Sequence, residues 1–533
     1  MIRKHITEKY SVSEQITLGD IDTLAVSGVT LIICNRPDEE ESEQLTFADI
    51  AAYAKTKNIE ALHIPFAGGQ MTASDVVEMK LGLKDANNVH AYCRSGNRST
   101  LIWQAVQDLP SSEQTSISQT STTSATHYDV VIVGAGTAGI STAASLLKRQ
   151  PNLNICLVDP AENHYYQPGW TLVGGGVFKA AKTRRNMADV IPSGTKWLKE
   201  SVQSFSPDLN QVSLQNGQLL SYDFLVVAAG IQLNWNAIEG LTETLGRNGV
   251  TSNYRYDLAP YTWELVQNLK GGNAIFTQPP MPIKCAGAPQ KAMYLSCDHW
   301  LKNRRQKDIS VSFYNAGAVL FGVAAYVPAL QSYIEKYQVN THFSHNLVKV
   351  DGPNKLAYFA TTDQDGEPTI IEQAFDMLHV CPSQSAPDFI RNSPLVDAAG
   401  WVDVDKETLQ HTTYKNVWSL GDVSNSPNAK TMAAVRKQAP IAAHNIIEAM
   451  KGREANAVYD GYGSCPLTVE RGKIVLAEFG FGGKLLPTFP KWLNNGTKPT
   501  YLAWVLKEDL LPPFYWHGML KGHEWFVAPT LRK

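Results

Sequence analysis

The sequence predicts a multidomain α/β protein, and three observations carry that prediction. Asp129 to Ala143 (DVVIVGAGTAGISTA) reads as a β-branched strand, a tight turn with Gly134, Gly136 and Gly139 at G-x-G-x-x-G spacing, and a small-residue helix. Apolar runs suited to buried strands recur at Val29 to Cys34, Asn88 to Tyr92, Asn154 to Val158, Tyr222 to Gly230 and Val417 to Asp422. Residues 111–127 (SSEQTSISQTSTTSATH) are Ser/Thr/Gln-rich and nearly free of apolar side chains, the composition of a flexible linker. Its coil dimension would be roughly 20 to 25 Å and its limit about 55 to 60 Å.

Bulk properties narrow the function classes. A chain of 533 residues needs more than one core, and a formal charge of -3 gives no reason to expect nucleic acid. The first residues, MIRKHITEKYSVSEQ, lack the apolar core of a secretion signal, and no later apolar run is long enough to span a bilayer. Seven cysteines stand singly, without a C-x-x-C pair, which argues against a zinc ribbon and a disulfide framework; no metal site is expected. The chain reads as cytoplasmic.

In the N-terminal part, Phe47 to Lys57 and Asp75 to Leu83 carry helical apolar spacing between the strand runs. The second of those strands ends in YCRSGNRS, where Cys93 meets a tight loop and a helix beginning near Ser99. Backbone N–H groups with Arg94 and Arg98 would lower the thiol's pKa and hold an anion. Only four residues separate Cys93 from Arg98, one fewer than in tyrosine-phosphatase signatures, and Tyr92 replaces their usual histidine. CRSGNRS resembles the six-residue active loop of rhodanese sulfurtransferases, which implies a cysteine persulfide. CNRPDEE at 34–40 looks like the phosphatase-like domain fused to some bacterial sulfur-metabolism proteins. Sulfur transfer, phosphatase chemistry and a structural buried thiol remain open for Cys93, whereas Cys34 reads as a core thiol.

In the larger part, the turn glycines would bring helix N–H groups against a pyrophosphate, and Asp159, 20 positions after Gly139, would accept a hydrogen bond from a ribose. His164 to Trp170, containing Gln167, precedes a glycine run; it could pack a flavin or be a packed loop. YDFLVVAAG, ending at Gly230, and VWSLGD, delivering Gly421 and Asp422, look like the second and third cofactor motifs of two-dinucleotide-domain flavoproteins, so FAD is expected rather than NAD. Ala274 to Lys291, where such reductases hold nicotinamide, has no second glycine motif; it carries prolines and Cys285, with Lys284 and Lys291 nearby to favour a thiolate.

PIKCAGAPQK at 282–291, HYYQPGWTLVG at 164–174, AAGWVDVDKETLQH at 398–411 and YDGYGSCPL at 459–467 closely resemble the eukaryotic-like branch of sulfide:quinone oxidoreductases, over about 128–533. The resemblance implies two Rossmann-like domains of the disulfide-reductase type, FAD, sulfide as donor, membrane quinone as acceptor and Cys285 as the sulfur-carrying cysteine. It also implies a second redox cysteine directly after the Gly-Asp of the third motif, where this chain has Val423. Cys381, a mobile Cys93, or no partner at all could answer that departure; Cys381 could equally be structural, and Cys156, Cys297 and Cys465 read as core thiols. The resemblance further suggests Lys430 as a positive charge beside the flavin or quinone; a solvated lysine is the alternative.

From Tyr501 onward, aromatics and leucines alternate with Lys507, Lys521, Arg532 and Lys533. This suits an interfacial segment dipping into one leaflet, with Pro512 and Pro513 preventing a straight span; a cap on the protein's own core is the alternative. The expected organisation is a phosphatase/rhodanese-like domain (1–110), linker (111–127), FAD domain (128–250 and 395–460), a second Rossmann-like domain with Cys285 (251–394) and a membrane-docking region (461–533). The expected activity is FAD-dependent sulfide oxidation on the inner membrane of a bacterium, with electrons to quinone and sulfur to a small thiol or Cys93. A phosphatase-like fusion and a single-cysteine sulfide sensor are the alternatives. A homo-oligomer is left open.

Overall fold

The computed structural model describes residues 3–38, 40–41, 44–66, 71, 73–84, 86–107, 125–427 and 429–532. The linker expected at 111–127 therefore lies outside the described residues, apart from its last three positions. The chain divides into two compact units, residues 1–122 and 123–533.

The first unit is a five-stranded sheet in the order Lys4–His5, Tyr10–Ser13, Val89–Tyr92, Leu31–Cys34, Glu60–His63. All neighbours are parallel except the first pair. Parallel strands must be covered on both faces, which is why VHAY and LIIC are buried at every position. One face packs Ile16, Ile21, Leu24, Ile50 and Ala54, and the other packs Val12, Val76, Met79 and Ile102. Thr17 and Thr46 cap the helices Leu18–Val26 and Phe47–Thr56 by accepting the Asp20 and Asp49 N–H groups. Val89–Tyr92 is an inner strand, so its end delivers Cys93 to the middle of the sheet edge, against the helix Asn97–Gln107.

The second unit is built around a mixed sheet and a parallel one. In the larger one, Thr195–Leu198, Ile155–Val158, Thr126–Val133, Leu219–Val227 and Val417–Ser419 run parallel. Val227 pairs with Val133 on one side and Ser419 on the other, so three glycine-containing turns leave the sheet at neighbouring strand ends. The other sheet orders Val250–Thr251, Met377–His379, Gly272–Gln278, Ile309–Asn315 and Asn340–Phe343. Its Gly272–Gln278 strand leads through a loop containing Cys285 into the helix Ala288–Lys302. An antiparallel pair, Gly463–Glu470 with Lys473–Phe479, packs on that helix and carries Cys465.

The C-terminal segment is both cap and surface. Tyr501–Val505 continues through two wide helical turns, Leu506–Leu510 and Phe514–Gly518, on either side of the paired prolines. Trp504, Tyr515, Trp516, Met519 and Leu520 are buried, while Tyr501, Leu510, Trp525 and Phe526 are exposed. No helix among the described residues is long and apolar enough to cross a membrane.

The glycine turn gives a direct test of this packing. A Cβ on Gly139 would lie 1.8 Å from the Gly134 carbonyl oxygen, whereas one on Gly136 meets nothing within 4 Å. Gly139→Ala is expected to lose about 3 kcal/mol or more of stability. Gly136→Ala should lose only about 0.5 kcal/mol. Thermal unfolding of the two variants checks both values.

Candidate active site

Three turns form the first half of the site. Gly134 has φ +100°, and an added Cβ would strike the Ala228 carbonyl at 2.5 Å, so the first turn must be glycine to close against the second. Gly136 and Gly230 face open space among the described residues, a cradle that side chains would fill. Gly421 takes φ +79°, and its N–H donates to Gln438 Oε1 (3.0 Å). Asp159 ends the Ile155–Val158 strand and accepts the Ala135 N–H (2.7 Å) and the Ala161 N–H (2.8 Å), so it braces the first turn from behind. Burial raises its pKa against those bonds. These features fit a flavin-type dinucleotide.

The C-terminal segment clamps the start of the same helix. Tyr515 Oη lies 2.7 Å from Thr137 Oγ1 and 2.5 Å from His164 Nε2. Gln167, the other expected cofactor residue, is exposed and accepts a hydrogen bond from Lys284 Nζ (2.7 Å).

Lys430 joins this half to the sulfur half. Its ammonium is buried and donates to the carbonyl oxygens of Asp422 (2.7 Å) and Ser424 (2.9 Å) while lying 3.9 Å from the Trp401 ring centre. Burial lowers its pKa to about 8, against the attraction of Asp422. This lysine is not solvated. Its carbonyl accepts the Cys285 N–H (2.9 Å), which fixes the cysteine at φ +50°. The Cys285 carbonyl accepts the Ala288 N–H (2.7 Å) and the Tyr254 hydroxyl (3.4 Å). Asp422 is half-buried; burial raises its pKa, opposed by Lys430 and Lys284.

The sulfur that faces Cys285 belongs to Cys465, with Sγ to Sγ 3.9 Å. Gly287 makes this approach possible, because a Cβ there would meet the Cys465 sulfur at 2.7 Å and Leu467 at 2.2 Å. Val423, where the second cysteine was expected, is buried in the apolar cluster with Val402, Val404 and Val417. The valine side chain is committed to that core, and the thiol in contact with Cys285 is that of Cys465 on the antiparallel pair.

Lys291 Nζ lies 3.0 Å from Cys285 Sγ, one helical turn into Ala288–Lys302. The hydrogen bond from Cys465 and the Lys291 charge hold the Cys285 thiol well below its usual range despite burial; bonding to Cys285 and burial push Cys465 up. Lys507, expected at headgroup depth, is instead buried, donating to the Pro466 carbonyl (3.3 Å) and Thr468 Oγ1 (3.1 Å). Burial, with Lys291 nearby, lowers its pKa to about 7.

Cys381 occupies a different environment. It packs with Tyr254, Ile283 and Ala288, and its sulfur lies 3.7 Å from Gln384 Nε2. Burial pushes its pKa up to about 12, so it is a protonated thiol at neutral pH.

In the first unit, Cys93 is fully buried. Burial opposes ionisation, but the backbone N–H groups of Ser99, Ser95 and Arg98, with the Ser99 hydroxyl, bring its pKa below the usual thiol value. Gly96 turns the loop at φ +80°. Arg98 does not point freely at the sulfur: Nη1 donates to the Phe66 carbonyl (2.8 Å) and Nη2 to Glu40 Oε2 (2.7 Å).

Three strand-end turns beside two cysteines flanked by Lys291 fit an α/β oxidoreductase of the flavin class. Residues 128–262 match the family model for pyridine nucleotide-disulphide oxidoreductases, and residues 3–110 match that of the phosphatase-like domain of beta-lactamase hydrolase-like protein. Mitochondrial sulfide:quinone oxidoreductase of Dictyostelium discoideum is 45% identical over 75% of this chain and 88% of its own. Its Mus musculus counterpart is 40% identical over 77% and 90%. The chain belongs to the sulfide:quinone oxidoreductase family. The crystal structure of the Aquifex aeolicus sulfide:quinone oxidoreductase shares the fold at TM-score 0.62 and 20% identity, covering 77% of this chain and 98% of that one.

Lys507 yields a pH test. Its folded pKa, about 7, lies below the ordinary lysine value, so between the two the unfolded chain binds the extra proton and stability rises with pH. Lys507→Met, which removes a buried charge present only below that window, should therefore raise the melting temperature more at pH 6 than at pH 9. Calorimetry at the two pH values checks the sign.

Proposed function

We propose that this protein oxidises sulfide to sulfane sulfur and delivers the electrons to a membrane quinone, using FAD and the Cys285–Cys465 pair. The observation that carries this reading is the 3.9 Å approach of the two sulfurs, with Lys291 at 3.0 Å. Closing the pair to a disulfide needs a movement of roughly 2 Å, within the reach of side-chain rotation. FAD, when bound, supplies a two-electron acceptor able to pass the pair on to quinone. Gly134, Gly136, Gly139, Asp159, Gln167, Gly230, Gly421 and Asp422 would hold it.

The polarisation of the pair chooses the direction of attack. The thiol with the lower pKa is the better leaving group, so hydrosulfide adds to the Cys465 sulfur and Cys285 departs as a thiolate paired with Lys291. The balance is HS⁻ plus Cys285–S–S–Cys465 giving Cys465–S–SH plus Cys285–S⁻. The electron pair of the broken bond rests on Cys285, next to the turn held by Lys430. The persulfide therefore forms first on Cys465 rather than on Cys285. A small thiolate then takes the outer sulfur, R–S⁻ plus Cys465–S–SH giving R–S–SH plus Cys465–S⁻. That persulfide is the substrate class we assign to Cys93. A single-cysteine sensor has less support, because Cys285 has a partner within contact distance.

Quinone access calls for a docking face. Phe526 is 93% exposed and Trp492 85%, with Tyr501, Leu502, Leu510 and Trp525 also on the surface, a composition suited to peripheral contact with one leaflet. We assign that leaflet to the inner membrane of a bacterium, as read from the sequence.

Anaerobic stopped-flow absorbance tests the pair. Sulfide should bleach the flavin of the loaded protein and a soluble quinone should restore it. Cys285→Ser and Cys465→Ser should each slow bleaching by about 10³-fold or more, while Cys381→Ser stays within about twofold. Bleaching of Cys465→Ser at the wild-type rate would remove Cys465 from the mechanism.

A further inference from the structure

We propose that Glu40 sets the charge of the ligand accepted at Cys93: by engaging Arg98, it leaves a cradle suited to a monoanionic sulfane sulfur and closed to a tetrahedral dianion such as phosphate. The proposal deepens the reading of Cys93 as a sulfur carrier and rests on it.

The loop around Cys93 offers two kinds of anion donor. One is the set of backbone N–H groups of Ser95, Arg98 and Ser99, at the turn into the helix Asn97–Gln107, which lower the pKa of the buried Cys93 thiol. These are dipoles, sufficient for one delocalised negative charge at close range. The other is the arginine side chains, whose paired N–H groups match the oxygen edges of a phosphoryl group and would be needed to balance a dianion.

Those side chains are already committed. Arg98 Nη2 lies 2.7 Å from Glu40 Oε2, and its Nη1 donates to the Phe66 carbonyl. The same Glu40 oxygen accepts Arg36 Nε at 2.8 Å. Arg36 is 2% exposed, and its remaining nitrogens reach Glu41 (2.8 Å) and Gln15 Oε1 (2.9 Å). Arg94, the second arginine of the loop, pairs with Glu41 at 2.9 Å. Among the described residues, three guanidinium groups and two carboxylates thus form one connected network with a single net positive charge. A monoanion balances it without rearrangement. A dianion would have to expel a carboxylate from Arg98 and would still place that carboxylate beside itself, a like-charge contact.

The chemistry of sulfane sulfur transfer fits a site of fixed charge. A small persulfide reacts as R–S–SH plus Cys93–S⁻ giving R–S⁻ plus Cys93–S–SH. The outer S–S bond partner changes from R to Cys93, no electrons are lost or gained, and one negative charge is present before and after. Phosphoryl transfer to the same thiolate would bring two further negative charges into the loop.

The test uses the full-length chain with glutathione persulfide as sulfur donor and tungstate, a tetrahedral dianion at neutral pH, as oxyanion probe. Sulfur on Cys93 and the rate of its alkylation by iodoacetamide are read by peptide mass spectrometry. Wild-type Cys93 should gain sulfur, and tungstate at millimolar concentration should leave its alkylation rate unchanged. In Glu40→Gln, which frees Arg98, tungstate should protect Cys93 with at least about tenfold tighter apparent binding, and p-nitrophenyl phosphate hydrolysis should rise above wild type. Glu40→Ala is the second variant, expected to behave in the same way. Glu41→Gln, which leaves Arg98 paired but raises the charge of the network as Glu40→Gln does, should give tungstate protection well short of that in Glu40→Gln; protection equal to it would show that net charge and not the engagement of Arg98 excludes the dianion, and would overturn the assignment to Glu40. Tungstate protection of the wild type at millimolar concentration, equal to that of Glu40→Gln, overturns the proposal. Cys93 gaining no sulfur, with tungstate still separating the variants, instead overturns the sulfur-carrier reading and with it the proposal's ligand.

Discussion

Lys430 holds the two halves of the candidate active site together through two different atoms. Its ammonium gathers the carbonyls of Asp422 and Ser424, and its own carbonyl takes the Cys285 N–H. The turn that would face a flavin and the turn that carries the reactive sulfur are therefore parts of one hydrogen-bonded object. A buried lysine spent on main-chain carbonyls loses conformational freedom and hydration, and it shows that cost as a lowered pKa. What the fold obtains is a cysteine fixed in a left-handed backbone conformation that an L-residue rarely adopts unaided. The positive charge expected near the cofactor thus also serves as the brace of the whole site.

Charge placement then divides the labour between the two thiols. Lys291 sits against Cys285, so that sulfur is the one that can bear a negative charge, while bonding to Cys285 and burial keep Cys465 protonated. Removing one member of such a buried pair typically costs about 3–5 kcal/mol, because the other charge is left without compensation. Lys507 adds a second buried ammonium from the C-terminal segment. That segment therefore reaches the strand that carries Cys465 through Lys507 and the glycine-turn helix through Tyr515, while its aromatics Tyr501, Trp525 and Phe526 are exposed. The same physical device appears in the first unit with opposite emphasis: at Cys93 backbone dipoles hold the sulfur, and the arginines are balanced by acids.

The sequence by itself determined the α/β class, the dinucleotide turn at Gly134–Gly139, the third turn at Asp422, and the proximity of Lys291 to Cys285. Each is a local pattern, in which a tight turn demands glycine and the first turn of a helix lies beside the loop that leads into it, so neighbours in sequence suffice to reveal it. Family resemblance supplied the sulfide and quinone chemistry and showed that position 423, where the family carries a second cysteine, holds valine. Which thiol lies against Cys285 is visible only in the tertiary structure. Cys465 lies 180 positions from Cys285, on a hairpin whose approach depends on Gly287 having no side chain, and no periodicity or spacing encodes a contact between a loop and a distant strand. Lys507 was legible only as one cation among aromatics; burial against Thr468 changed its meaning. Glu40 likewise reads as one acid in an acidic run, and only the folding of that run onto Arg98 makes it a partner. Local sterics can be read along a chain, whereas the balance of buried charge depends on which distant side chains share the same low-dielectric space.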